Sequence, residues 1–430
     1  MEKRVNRLRD GLGRTLLFPA LHLMREQMKL MSDPVLLRKA AARLDALGRP
    51  LPDVRTHPVT AGAVPATWVD VKGVPHDRVV LYLHGGAFVA ETPQLHGALL
   101  ARICREGRAR GLMPSYRLSP EHRYPAALDD CMAAYRWLLD EGHDASRIVV
   151  AGDSAGGNLT LALLLRARDE GLPLPAGAVA LSPVADLTYS GDSIQRNDGV
   201  DDMFSANMMD AMVPVYLADR KLCTDPHVSP VFGDYSGMPP LLLIVGSSEL
   251  LLDDSVRVAQ RCPGAQLLVW NGMPHVFPAF DFLPEAREAT QRIGRFVREC
   301  MAGEAEAQAA AQTHAAAAAT APAAPVRAAA KRALSPLAVL PLLYLALAIF
   351  SGSVWLGSLA FWPGAALVLS NPAVWAATVV VWLFIFVEAS AVGWRRLPWC
   401  LAATLFLGPG CGLALFLLLR ATRRAGSRGR

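Results

Sequence analysis

The sequence predicts an α/β fold on a mostly parallel sheet, followed through a linker by an all-α, bilayer-spanning region. Three observations carry this. Short continuous apolar runs, Val79 to Leu83, Ile148 to Ala151 and Leu241 to Val245, alternate with helical patterns up to about residue 300. Runs of that length without polar interruption suit strands covered on both sheet faces. Each run is followed within two residues by a glycine, at Gly85, Gly152 and Gly246, where a chain leaves a sheet. Finally, between Ala333 and Trp394 the only charged residue is Glu388, far too few charges for a water-exposed segment.

Composition sets the outer bounds. The chain has 430 residues, 52% hydrophobic and 19% charged, more apolar than a soluble enzyme requires, and the excess sits in the C-terminal part. The net charge of +5 is modest and comes from a few basic clusters, so no nucleic-acid-binding stripe is present. The N-terminus is charged and lacks the apolar core and small-residue cleavage site of a secretory signal. Seven cysteines are scattered without a C-x-x-C pair or a His/Cys cluster. They are expected to be buried thiols in a reduced compartment, with no zinc and no disulfide.

The first chemical signal is Gly152-Asp153-Ser154-Ala155-Gly156, between the strand at Ile148 and the helical run from Gly157 to Leu165. A strand, a glycine-tight corner and a helix start expose the corner hydroxyl as a nucleophile. A serine hydroxyl needs a base, and the base needs an orienting acid. His275 is the expected base, on the turn Asn271-Gly272-Met273-Pro274 after the strand-like Gln266 to Trp270. Glu249 is the expected acid, the first carboxylate after the strand Leu241 to Val245, with Asp253 next in order. Asp253 and Asp254 are otherwise expected to cap or solvate the following helix. His84-Gly85-Gly86-Ala87-Phe88 closes the strand at Val79. The amides of Gly85 and Gly86, with that of Ala155, are expected to hold a developing oxyanion.

Taken together these stretches resemble the hormone-sensitive-lipase-like branch of the α/β-hydrolase esterases. The likeness also runs through Tyr116 to His122, Pro125 to Asp130, and Leu181-Ser182-Pro183 with Asp186-Leu187-Thr188, covering roughly residues 15 to 300. It implies an α/β-hydrolase fold with an eight-stranded sheet, a helical cap to which residues 1–50 contribute, and a catalytic domain over 51–301. It further implies carboxylic ester hydrolysis without a cofactor, usually on short acyl chains. Arg117 and Glu121 would be structural, tying a loop to the core, and Asp153 would fix the elbow. Two positions depart from the family pattern: Ala87 stands where a third glycine is usual, and Glu249 where aspartate is common. For residues 1–50 a membrane-surface helix is the rival to the cap, because Lys3, Arg4, Arg7, Arg9 and Arg14 precede the apolar positions.

The remaining chain is an Ala/Pro-rich linker over 302–333, a transmembrane region over 334–420 and a basic tail over 421–430. A span needs roughly twenty apolar residues. Four are expected, at about 334–350, 354–370, 373–394 and 398–419, against alternatives of two or three. Four spans put the basic clusters at 327–332 and 420–430 on one side, and Arg395-Arg396 on the other, the imbalance that favours a cytoplasmic location for both ends. Trp355, Trp362, Trp375, Trp394 and Trp399 lie near the span ends, and Glu388 is an intramembrane carboxylate.

The expectation is therefore a membrane-anchored, multi-pass serine carboxylesterase with its catalytic domain in the cytoplasm. Its partners would be an ester substrate and the lipid bilayer, the substrates being short-chain or lipophilic esters, lactones or lipid-derived acyl groups. Two rivals keep the same fold: a ligand-binding pseudo-hydrolase, and a hydrolase domain accessory to a membrane function of the tail.

Overall fold

The computed structural model describes residues 33–46 and 51–302, with Leu21, Arg25 and Gly48 beside them. The linker, the expected spans, Glu388, the basic tail and most of the N-terminal segment lie outside the described residues. Among the described residues no helix is long and apolar enough to cross a membrane.

Eight strands form one sheet: β1 (Val54–Ala61), β2 (Val64–Val71), β3 (Val79–Leu83), β4 (Arg110–Pro114), β5 (Ile148–Asp153), β6 (Gly177–Leu181), β7 (Leu241–Gly246) and β8 (Gln266–Trp270). Their spatial order is β1-β2-β4-β3-β5-β6-β7-β8. The β1–β2 and β2–β4 pairs are antiparallel and every other pair is parallel. The apolar runs read from the sequence are β3, β5, β7 and β8. The hairpin β1–β2 and the short β4 and β6 stand out less, because exposed positions or small residues interrupt their apolar pattern.

Alternation explains why the central strands are apolar throughout. Val79, Leu81 and Leu83 belong to one core with Tyr135 of helix α3 (Ala126–Asp140) and Leu159 and Leu163 of α4 (Ala155–Asp169). Val80 and Tyr82 belong to a second core with Leu100 and Ile103 of α2 (Pro93–Gly107) and Phe296 and Val297 of α8 (Pro284–Cys300). Successive side chains point to opposite faces, and with helices on both faces neither set meets water. Each such aliphatic side chain stabilises the fold by about 1.5–3 kcal/mol on burial. The outermost strand β8 is half-covered, with Val269 47% exposed.

The remaining α-helices with described bounds are α1 (Pro34–Asp45), α5 (Ser193–Arg196), α6 (Ala206–Tyr216) and α7 (Leu252–Arg261). Arg38 of α1 donates to the carbonyls of Val89 and Ser119 and pairs with Glu121. That salt bridge pulls the Glu121 carboxyl down to about 2. Glu121 thus ties its loop to α1 rather than to the core, a correction to the expectation, while Arg117 pairs with Asp130. Asp254 also departs from expectation. It opens α7 yet is fully buried, its Oδ2 accepting from the amides of Ala185 and Asp186, so it orders the loop after β6 instead of meeting solvent. The five cysteines of the described residues are free thiols, four of them buried.

Candidate active site

The expected nucleophile, base, acid and oxyanion donors all follow the C-terminal end of a parallel strand: β3, β5, β7 or β8. Open α/β sheets bind ligands at that edge. At the end of β5, Ser154 has φ 55° and ψ −118°, a conformation strained for any residue with a Cβ. Its amide donates to Leu181 O at 2.8 Å and its carbonyl accepts from Asn158 and Val184, so three neighbours enforce the turn. The flanking glycine is sterically obligatory. A Cβ on Gly156 would stand 1.9 Å from Leu83 O and 2.6 Å from His84 O, because α4 starts against the end of β3.

The expected acid and the expected base meet. His275 Nδ1–H donates to Glu249 Oε2 at 2.9 Å, with Glu249 wholly buried and His275 3% exposed. Glu249 Oε1 accepts from Ser182 Oγ at 2.8 Å and from the Gly246 amide at 2.5 Å, and its carbonyl accepts from Asn197. Ser182 Oγ in turn accepts from the Val276 amide at 3.1 Å. One hydroxyl therefore fixes the carboxylate and the residue after the histidine together. Burial disfavours a charged imidazole, yet the hydrogen bond and charge of Glu249, helped by Asp201 and Asp153, outweigh it and raise the His275 pKa. Asp253, next in order as the acid, accepts from the Ser193 amide and pairs with Arg196 instead. His275 Nε2 is buried with no hydrogen-bond partner among the described residues, so the link to Ser154 Oγ is open. Such links commonly tighten only when substrate is bound.

The glycine loop after β3 requires a correction. The Gly85 amide, expected as an oxyanion donor, donates to Asp153 Oδ1 at 3.0 Å, a buried carboxylate that also accepts from Tyr82 OH at 2.7 Å. The next two amides, of Gly86 and Ala87, have no acceptor among the described residues. Gly86 has φ +119°, and a Cβ there would stand 2.1 Å from Ala90 O, so only glycine fits. Ala87 itself has a positive φ of 54°, uncommon for a residue with a Cβ.

Asp153 is thus the anchor of the loop. His96 Nε2 lies 3.4 Å from Asp153 Oδ2. Burial alone would raise the Asp153 pKa, but the charge and hydrogen bond of His96 lead the effects that hold it below the usual range, and His96 is raised in return. His84, stacked on Tyr116 at 4.2 Å, is pushed down to about 4 by burial and then by His96. Asp153→Asn, which removes the charge and one acceptor site, is expected to lower kcat on the order of 10- to 100-fold with little change in KM. Steady-state kinetics on a p-nitrophenyl ester checks this, and an unchanged kcat would dismiss the anchoring role.

A cavity of about 550 Å³ opens beside Ser154, lined by Phe88, Val184, Leu187, Phe204, Met208, Met209, Met212 and Val213 among others. That is the size and apolar character of a small-molecule site. Three polar atoms of its lining residues are buried without a hydrogen-bond partner among the described residues: Arg25 Nε, Ser205 Oγ and the Tyr216 hydroxyl.

Comparison with known proteins agrees with this geometry. Residues 80–279 match a family described as alpha/beta hydrolase fold. The chain is 33% identical over 278 residues to an esterase of Acinetobacter venetianus, covering 64% of this chain and 91% of that one. It is 40% identical over 261 residues to an acetyl-hydrolase of Streptomyces hygroscopicus, covering 59% and 84%. The crystal structure of an esterase from the bacterial hormone-sensitive lipase family superposes with a TM-score of 0.60 at 38% identity, covering 62% of this chain and 91% of that one. The chain belongs to the hormone-sensitive-lipase-like α/β-hydrolase esterases. It is a serine hydrolase of carboxylic esters. Residues 365–422, outside the hydrolase domain, match a protein family of unknown function, DUF2834.

For this esterase the sequence named Ser154, Glu249 and His275, and the structure brings the last two into direct contact. It did not reveal Ser182, Ala87, His96 or Arg25 as parts of the site. Ser182 had a signal in the Leu181-Ser182-Pro183 stretch but no assignable partner. Arg25 had none, because only the fold carries it to the cavity.

Proposed function

We propose that the protein is a carboxylesterase working through an acyl-enzyme on Ser154, with His275 as base and then acid and Glu249 as its orienting carboxylate. The carrying observation is the buried His275–Glu249 hydrogen bond, which fixes the imidazole tautomer and leaves Nε2 unpartnered. As substrate enters, the Ser154 Oγ proton passes to Nε2 while Oγ bonds to the carbonyl carbon. The amides of Gly86, Ala87 and Ala155 receive the resulting oxyanion, with Gly85 holding the loop through Asp153. Collapse breaks the bond to the alkoxide, which leaves with the proton from His275. Water, activated by the same imidazole, then releases the acid. The size and apolar walls of the cavity suit esters of short acyl chains and small lipophilic esters or lactones.

We further propose that the C-terminal region tethers this domain to a membrane. That reading rests on the near-absence of charge between Ala333 and Trp394 and on the flanking basic clusters. A single experiment tests both parts. A fluorophosphonate probe applied to cells expressing the full chain is expected to label the Ser154 peptide, with the label in the membrane pellet. A chain ending at Ala302 should carry the same label in the supernatant. An unlabelled Ser154 refutes the chemistry and favours a pseudo-hydrolase, and a full chain in the supernatant refutes the tether.

A further inference from the structure

The buried polar groups behind the glycine loop carry an inference about what keeps the oxyanion donors in place. Gly85 immediately precedes Gly86 and Ala87, the two residues whose amides have no acceptor among the described residues, and it is held through both halves of its backbone. Its amide donates to Asp153 Oδ1 at 3.0 Å, and its carbonyl accepts from His84 Nδ1–H at 2.7 Å. His84 is fixed in turn by Tyr116, whose hydroxyl donates to the His84 carbonyl at 2.6 Å and whose ring stacks on the imidazole. Asp153 supplies the charged acceptor of this arrangement.

A carboxylate as deeply buried as Asp153 stays anionic only where a countercharge and donors replace its lost hydration. Its Oδ1 has two neutral donors, the Gly85 amide and the Tyr82 hydroxyl. Its Oδ2 faces His96 Nε2 at 3.4 Å. His96 stands in the first turn of α2, and its Nδ1 shares a hydrogen bond with Thr92 Oγ1 at 2.9 Å, which leaves Nε2 aimed at the carboxylate. The neighbouring imidazole of His84, 5.6 Å away between centroids, does not compete for the charge. Burial first and His96 second hold it neutral, with its pKa at about 4. Burial would also lower His96, but the charge of Asp153 outweighs it.

We infer that His96 is a positioning residue of the oxyanion hole: through Asp153 it holds Gly85, and through Gly85 it holds the Gly86 and Ala87 amides where the oxyanion forms. A hydrogen bond to a charged acceptor is roughly twice as strong as one to a neutral group. An Asp153 without its imidazolium partner takes up a proton more readily and grips the Gly85 amide less firmly. His96 is not among the residues lining the cavity beside Ser154. Its loss therefore leaves ground-state binding of the ester alone and weakens an interaction made only as charge develops.

The inference rests on the proposed Ser154 chemistry, and a double-mutant cycle on the full chain tests it. The parent, His96→Leu, Asp153→Asn and the double variant are assayed on p-nitrophenyl butyrate. Rates are expressed per fluorophosphonate-labelled site, so that unfolded protein does not count. His96→Leu is expected to lower kcat about tenfold with KM changed by less than about twofold. It should weaken inhibition by a trifluoromethyl ketone, whose adduct with Ser154 carries an oxyanion, by a similar factor. In the Asp153→Asn background no charge is left to sustain, and His96→Leu should then cost less than about twofold. A tenfold loss in both backgrounds, a loss confined to KM, or an unaltered kcat in His96→Leu overturns the inference and leaves the Ser154 reading standing. An unlabelled Ser154 in the parent overturns both.

Discussion

Ser154→Ala is expected to lower kcat for p-nitrophenyl butyrate by about 10⁵- to 10⁶-fold, with KM changed little, since loss of the nucleophile removes the covalent route altogether. The residual rate should come from the oxyanion amides acting on bound water, and the fluorophosphonate label should vanish. A second variant separates chemistry from backbone strain. Ser154→Gly is equally without a hydroxyl, but glycine accepts φ 55° and ψ −118° without a Cβ conflict. It should be as inactive as the alanine variant and more stable than it by about 1 kcal/mol in denaturant melts. Turnover by either variant within tenfold of the parent would refute Ser154 as nucleophile.

Glu249→Gln carries the next largest effect, a fall of about 10⁴-fold in kcat, because an amide can stabilise the wrong imidazole tautomer and cannot stabilise the imidazolium. The pH profile gives the decisive readout. In the parent, His275 must be neutral to take the proton, and its pKa is raised above the ordinary 6.5 by Glu249 against the opposing effect of burial. Parental kcat/KM is therefore lost as pH falls through a value above 6.5. In the variant burial remains and the carboxylate is gone, so the acidic limb moves to lower pH. An unshifted limb, or a kcat within tenfold of the parent, would remove Glu249 from the relay.

Local sequence pointed to the members of the proposed relay because each sits at a corner that announces itself. The glycines around Ser154 are there because α4 starts against β3, and the first carboxylate after β7 can reach only a short distance. What local sequence could not supply is any pairing decided by the approach of distant strands. Gly85 looks as free as Gly86 in the chain, and only the neighbouring end of β5, which delivers Asp153, distinguishes them. Ser182 is likewise one serine among many until β6 and β7 bring it between Glu249 and Val276. The same holds for Arg25, which pairs with Asp198, far away in the chain.

The anchoring of Ser154, Glu249 and His275 differs in kind from that of the cavity walls. The three are fastened by hydrogen bonds at the ends of β5 to β8, through Leu181, Ser182 and Gly246. Much of the wall comes from the excursion between β6 and β7, over residues 184–216. Reaction and selectivity can consequently diverge at different speeds. Exchanging that excursion with one from a related enzyme should retune which molecules are accepted while the machinery beneath stays as it is, provided an aromatic ring is kept where Phe204 meets the imidazole.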